Sequence, residues 1–425
     1  MSSATPPNLH TLPVHVAMDQ FAVRDGELVI GGLTVSALAA QVGATPFYAY
    51  DRRLMQTRVA ELRAALPPGL LLHYAMKANP LPAVVQLMAG LVDGIDVASA
   101  GELQVALSAG AQPAHISFAG PGKRDAELQA AVRAGVLVNV ESPRELPVLA
   151  AASQALGLPA RVAVRVNPDF ELKGSGMKMG GGPKPFGVDA EAVPALLARI
   201  AQLQPSGLAF EGFHLYAGSQ NLRADAIAQA QTLSFELALR LAEHAPSPVL
   251  TLNLGGGFGI PYFPGEARLD LAPVAAALAG LVERARQALP QAALVLELGR
   301  YLVGEAGVYV ARVIDRKVSR GQVFLVVDGG LHHHLSASGN FGQVLRRNYP
   351  VAVANRMGDT ARDSGREIAS VVGPLCTPLD LLADRMPLAV AQEGDFVAVF
   401  QSGAYGASAS PQAFLGHPPC AEVLV

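Results

Sequence analysis

Cysteine is nearly absent. Cys376 and Cys420 are the only two in 425 residues, too few for a disulfide framework and consistent with a reducing compartment. Charge is also sparse, at 16% Asp, Glu, Lys and Arg against roughly 25% in an average globular protein. The net charge of −3 offers no field for a polyanion, so nucleic acid is not an expected partner. Long apolar runs are missing: stretches such as 271–282 are too short to span a bilayer, and no membrane association is expected. Residues 1–19 lack a basic segment followed by an apolar one, so no signal peptide is read there and the expected location is cytoplasmic. No repeat or low-complexity tract occurs. What the chain has is apolar residues, at 51%, enough for a large core, and a length that favours two domains.

From about residue 46 to 300, short β-rich runs alternate with longer Ala/Leu segments of helical period. Strands are predicted at 70–75, 94–98, 115–118, 137–140, 161–166, 210–214, 251–254 and 293–297. Helices are predicted at 51–66, 100–109, 123–134, 190–203 and 222–244, among others. Eight such pairs favour an α/β fold of the closed (β/α)8 type, a TIM-like barrel, over an open sheet. After residue 300 the rhythm becomes mostly β, with strands at 308–317, 322–328, 368–372 and 395–401. Residues 21–32 read as a hairpin turning at Asp25-Gly26, so residues 1–45 and 301–425 are expected to form a second, mostly-β domain. The segment 174–185, with five glycines and two prolines, reads as a mobile loop.

In a (β/α) barrel the site lies at the C-terminal ends of the strands, and the unusual polar residues fall there. Lys77 follows the first strand in Tyr74-Ala75-Met76-Lys77-Ala78-Asn79, and Asp96 lies in the second. Arg165 and Asn167 close the fifth, and His214 the sixth. Gly255-Gly256-Gly257 closes the seventh, and Glu297-Leu298-Gly299-Arg300 the eighth. A lysine in this position could snorkel to solvent. It could equally be a Schiff-base lysine whose burial lowers its pKa and frees the amine. The three glycines offer unobstructed backbone N–H groups suited to a phosphate monoester, whereas a dinucleotide fingerprint is not completed after Gly257-Phe258-Gly259. Glu297 and Arg300 could be a surface ion pair. Beside a lysine and a phosphate cradle, they could instead hold a pyridinium N–H and the phosphate. Those parts together describe pyridoxal 5'-phosphate.

On these motifs the chain resembles the alanine-racemase-fold pyridoxal-phosphate decarboxylases, the group of diaminopimelate, ornithine and arginine decarboxylases, from about Pro46 to Phe414. The resemblance implies that Lys77 forms the Schiff base, that Gly255, Gly256, Gly257 and Arg300 bind phosphate, and that Glu297 pairs with the pyridine nitrogen. It also assigns Asp96 and Arg165 to the support of the lysine and the cofactor face, and Tyr405 in Gly403-Ala404-Tyr405-Gly406 to the phosphate. Gly373-Pro374-Leu375-Cys376 matches the motif whose cysteine enters a neighbouring subunit's site, which implies a homodimer with shared active sites and a Cys376 able to reprotonate Cα. Read alone, Cys376 would be a core residue.

Two departures from the family matter. Its His-x-Gly-Ser histidine, which stacks on the cofactor ring, is replaced in His214-Leu215-Tyr216-Ala217-Gly218-Ser219-Gln220 by Tyr216, with His214 two residues earlier; either ring could face the cofactor. After the cysteine, relatives that act on basic amino acids place an Asp or Glu for the distal ammonium, where this chain has Thr377-Pro378-Leu379-Asp380. Losing that carboxylate removes roughly 1.5–3 kcal/mol of charge-assisted hydrogen bonding, so simple dibasic substrates are disfavoured. This run and Met177-Lys178-Met179-Gly180-Gly181-Gly182 look more like a subgroup associated with exosortase systems, some members of which act on amino acids tethered to a carrier protein. The expected substrate is therefore an amino acid, free or carrier-linked. Diaminopimelate decarboxylation is the alternative, and an amino-acid racemase of the same fold is less favoured, because such racemases put an arginine where this chain has Glu297. A cofactor-less binding homologue is opposed by the intact Lys77, glycine run and Glu297. Adjacent histidines on a strand point to opposite faces, so His332-His333-His334 is not expected to hold a metal and is read as a loop near substrate. Arg346, Arg347 and Tyr349 follow it; by default the arginines are surface charge, and one could bind an acidic group of the substrate.

Overall fold

The computed structural model describes residues 14–170, 177–178, 180–358 and 365–425, so residues 174–176 and 179 of the expected mobile loop at 174–185 lie outside the described residues. Eight strands form a parallel sheet that closes on itself: β1 (Leu70–Ala75), β2 (Gly94–Val97), β3 (Ile116–Phe118), β4 (Leu137–Val140), β5 (Ala160–Asn167), β6 (Leu208–Leu215), β7 (Thr251–Gly256) and β8 (Ala293–Leu298). The ladder from β8 to β1 completes the ring, pairing Leu294 with Leu70 and Glu297 with His73. The expected strands at 70–75 and 137–140 coincide with β1 and β4, and the others differ by one or two residues at their ends. These strands are largely apolar because helices cover their outer face. The helix Arg52–Ala65 shows how: Met55, Val59 and Leu62 recur at helical spacing and are buried, while Asp51 caps its N-terminus by accepting from Arg53 N and Leu54 N. The apolar stretch at 271–282 belongs to a helix, Leu271–Ala288, that buries Val274, Leu278 and Leu281 against the barrel. Among the described residues no helix is long and apolar enough to cross a membrane.

The second sheet is built from β9 (Gly307–Ser319), β10 (Gln322–Val327), β11 (Val351–Val353), β12 (Arg366–Val372), β13 (Leu381–Ala389) and β14 (Phe396–Val399), mostly antiparallel. One segment moves relative to expectation. Phe47–Tyr50, assigned from the sequence to the start of the barrel, is a strand of this second sheet, antiparallel to β9 and parallel to Ala421–Leu424. All four of its residues are buried, which explains the absence of any alternation to read. The hairpin at residues 21–32 is present, with Asp25 and Gly26 both at positive φ as a tight two-residue turn requires. The second sheet meets the barrel beside Lys77: Tyr405 N donates to Ala78 O (2.8 Å), and Asn79 Nδ2 donates to Gly403 O (3.0 Å).

Candidate active site

The strand ends do converge. Lys77, Tyr216, Ser219, Gly257, Arg300 and Tyr405 line one small cavity at the C-terminal mouth of the barrel. Lys77 sits on a single 3-10 turn, Met76–Ala78, directly after β1, and Tyr74 OH closes the following turn by donating to Asn79 O (2.8 Å). Its amine lies deep in the mouth yet open to the cleft, 5.6 Å from the centroid of the Tyr216 ring. Burial pushes its pKa down, but the Glu297 carboxylate, with Tyr405 and Tyr216, outweighs that, and the net shift is upward. The expectation of a burial-lowered lysine is thus corrected. The counter-charge comes from β8, which closure of the barrel pairs with β1.

Glu297 is buried at the end of β8, with His214 Nε2 2.9 Å away and Asn253 Nδ2 at 3.4 Å. The His214 contact has ion-pair distance but not hydrogen-bond alignment, and both His214 ring nitrogens lack an aligned partner. Burial alone would raise the Glu297 pKa, but His214, Lys77 and Arg165 outweigh it and hold the carboxyl below its usual range. The choice between His214 and Tyr216 is therefore spatial. His214 is still within β6 and faces Glu297, whereas Tyr216 lies beyond the strand end, lines the cavity, and has its hydroxyl pushed up to about 12 by burial.

The glycines pack with no room for side chains. Gly255 and Gly257 have φ of +69° and +72°, and a Cβ on Gly257 would lie 2.1 Å from Gly218 O. A Cβ on Gly256 would lie 2.1 Å from Glu297 O. Arg300 Nη1 donates to Tyr262 OH (2.8 Å), its guanidinium sits 4.5 Å over the Tyr405 ring, and its buried Nε has no partner. Bare backbone, a guanidinium with a spare donor, an amine and an anionic carboxylate across the same mouth suit a ligand with a phosphate, an aldehyde and a pyridine nitrogen. The residues fit pyridoxal 5'-phosphate.

Other predicted residues stand further from the cavity. Arg165 is buried and donates to Glu141 Oε1 (2.9 Å), while Glu141 Oε2 accepts from Gly187 N (3.0 Å). Asp96 meets His73 Nδ1 at 3.1 Å. Among the described residues the cavity lining does not include Cys376, Thr377, Arg346 or Arg347. Cys376 is exposed on the loop between β12 and β13. Arg346 is spent on Ser338 O (3.1 Å), Asn348 Oδ1 (3.2 Å) and Leu381 O. Arg347 lies over the Phe263 ring with Glu266 at 3.5 Å. Tyr349 is buried against Tyr262, which holds Arg300. The three histidines lie in a loop, between β10 and β11, and all are buried, with His333 Nε2 against Pro418 O (2.9 Å) and His334 Nε2 against Ser402 Oγ (2.8 Å). Burial pushes His332 down to about 4 and His334 down to about 3. Among the described residues no cluster of His, Cys, Asp and Glu could hold a metal ion. Sequence reasoning passed over Asn253, Glu141, Tyr262 and His73. The first two follow the strand-end rule already used, as polar residues in or just after apolar strands.

Comparison with known proteins agrees with this geometry. Residues 52–304 match the model for the pyridoxal-binding domain of pyridoxal-dependent decarboxylases. The chain is 39% identical over 385 residues to the L-glutamyl-[BtrI acyl-carrier protein] decarboxylase of Niallia circulans, covering 89% of this chain and 88% of that one. It is 34% identical over 408 residues to the diaminopimelate decarboxylase of Aquifex aeolicus, covering 95% and 91%. The crystal structure of diaminopimelate decarboxylase from Helicobacter pylori with L-lysine superposes with a TM-score of 0.80 at 28% identity, covering 91% and 93%. The chain belongs to the pyridoxal-dependent decarboxylase family. It is a pyridoxal-phosphate-dependent amino acid decarboxylase of the alanine-racemase-like barrel type.

Proposed function

We propose that this decarboxylase acts on an amino acid presented by a carrier protein and not on a free dibasic amino acid. The observation that carries the reading is the fate of the acidic side chain nearest Cys376. Thr377 carries no charge, and Asp380 is buried, accepting from Leu331 N (2.6 Å) and Leu375 N (2.8 Å). Both its oxygens are committed to backbone amides, one of its own loop and one of the loop that follows β10, which leaves no carboxylate there for a distal ammonium. The likeness to an enzyme named for a glutamyl carrier-protein substrate supports the same direction.

Bound through Lys77, the cofactor supplies an electron sink for the pair left when CO2 departs. Glu297, anionic and buried, holds a proton at the pyridine nitrogen. The backbone N–H groups of Gly255, Gly256 and Gly257, with Arg300 and Tyr405, would hold the phosphate, and Tyr216 and Ser219, which line the same cavity, would hold the ring. Asp96 and Arg165, through His73 and Glu141, brace the wall. Cys376, exposed on its loop, is offered to the site of a second copy in a homodimer; it or Lys77 returns the proton to Cα. Arg347, half exposed over the Phe263 ring and held only by a longer contact to Glu266, is the freer of the two arginines to meet an acidic group of an incoming substrate.

The test is release of labelled CO2 from carboxyl-labelled lysine, ornithine, arginine, diaminopimelate and glutamate, with glutamate also offered as a carrier-protein thioester. Release from the thioester alone is expected. Efficient release from a free dibasic amino acid would overturn the carrier reading.

A further inference from the structure

Among the described residues seven non-glycine residues have positive φ, and three of them serve Arg300 or the segment that holds it: Gln220 (+56°), Gln401 (+59°) and Tyr405 (+54°). Crowded backbone of this kind persists where its surroundings over-determine it, and it concentrates at functional sites. Gln220 Nε2 donates to Ile260 O (2.6 Å), and Gln220 Oε1 accepts from Ile260 N (3.2 Å). Gln401 Nε2 donates to Pro261 O (2.8 Å). Glu266 Oε2 accepts from Tyr262 N (2.9 Å) and Phe263 N (3.1 Å). Residues 260–263 lie outside any helix or strand, yet side chains from the barrel, the second domain and their own loop pin each of them. What this pinning delivers is Tyr262. It is buried and outside the cavity lining, its ring packs on Tyr349 at 4.5 Å, and its hydroxyl accepts from Arg300 Nη1 (2.8 Å).

We infer that Tyr262 is a positioning residue for the cofactor phosphate: by accepting from Nη1 it fixes the plane of the Arg300 guanidinium and leaves the remaining donors for the phosphate. The inference rests on the reading that Arg300 binds that phosphate. Charge is not in question, because an arginine stays protonated at any working pH. Orientation is, because a guanidinium is a planar fork whose parallel hydrogen bonds to a phosphate form only when its plane is correctly set. The Tyr405 ring, 4.5 Å from the same guanidinium, limits how it can turn, and the buried Nε has no partner within the protein. Gln401, Tyr349 and Tyr405 all come from the second domain, so that domain sets a phosphate ligand of the barrel through Tyr262. A tyrosine serving only the core would need its ring against Tyr349 and no hydroxyl.

Tyr262→Phe keeps the ring and removes the acceptor, which separates the two roles. Cofactor-stripped full-length protein is titrated by absorbance with pyridoxal phosphate and, separately, with pyridoxal, which lacks the phosphate. The set is the wild type, Tyr262→Phe, Arg300→Gln and the double variant. Tyr262→Phe is expected to weaken pyridoxal phosphate binding about tenfold, the effect of one charged hydrogen bond, and to leave pyridoxal binding unchanged. In the Arg300→Gln background the same substitution is expected to add nothing, since the two residues act as one unit. Wild-type affinity for pyridoxal phosphate in Tyr262→Phe would overturn the inference. So would an equal loss for both ligands, or a full loss that persists in the Arg300→Gln background, because either makes Tyr262 a packing residue. If Arg300→Gln alone left pyridoxal phosphate binding intact, the fault would lie in the Arg300 assignment, and both would fall together.

Discussion

The glycine cradle makes a prediction in which geometry and chemistry can be separated. In Gly257→Ala the new methyl is forced onto a backbone at φ +72°, a left-handed conformation that costs an L-residue about 1–2 kcal/mol. The larger effect is steric. The Cβ would stand 2.1 Å from Gly218 O, so the Gly218–Ser219 strand must retreat by about 1 Å to reach an acceptable contact. That short strand pairs with Met177–Lys178 and carries Ser219 of the cavity wall, so its retreat opens the phosphate end of the site. A misplacement of about 1 Å can cost roughly 10²-fold in a positioned interaction, and a weakening of that order is expected for cofactor affinity. The matched control is Gly280→Ala, in the exposed middle of the helix Leu271–Ala288, where a Cβ meets nothing within 4 Å. There the substitution is expected to stabilise by about 1 kcal/mol through helix propensity and to leave cofactor binding alone. Titrating cofactor-stripped protein with pyridoxal phosphate, followed by absorbance, alongside thermal melts, reads both. A folded Gly257→Ala variant with wild-type affinity would refute the phosphate assignment of these glycines.

Two further substitutions test other parts of the argument. Asp51→Ala removes the cap of the helix Arg52–Ala65 and the acceptor for Gly31 N (3.0 Å), and is expected to cost about 1–2 kcal/mol in chemical denaturation while leaving kcat at 25 °C unchanged; an unaltered midpoint would contradict the cap's importance. Thr377→Glu restores a carboxylate after Cys376 and is expected to raise CO2 release from free lysine or diaminopimelate by roughly 10- to 150-fold, the equivalent of a charged hydrogen bond of about 1.5–3 kcal/mol. No gain would place the exclusion of dibasic substrates elsewhere in the site.

What was legible in the sequence depended on the range over which each feature is decided. A strand such as Leu70–Ala75, apolar and followed by a loop with a lone lysine, announces itself locally, and so does Glu297 at the end of Ala293–Leu298. Leu381–Ala389 was not read because Asp384, Arg385 and Pro387 interrupt its pattern, and its ladder with β12 is irregular; pairing, not propensity, keeps it extended. The orientation of His214 and Tyr216 turns on where β6 ends. One residue past Leu215 the chain leaves the barrel wall, so a spacing of two no longer keeps both rings on one face. The sign of the Lys77 shift was the deepest of these. Burial, the local term, favours a neutral amine, and only closure of the ring between β8 and β1 brings Glu297 close enough to reverse it. The electrostatics of this site are thus a property of the barrel's topology: residue types at strand ends show that a charged site exists, and the order in which strands meet decides which charges govern one another.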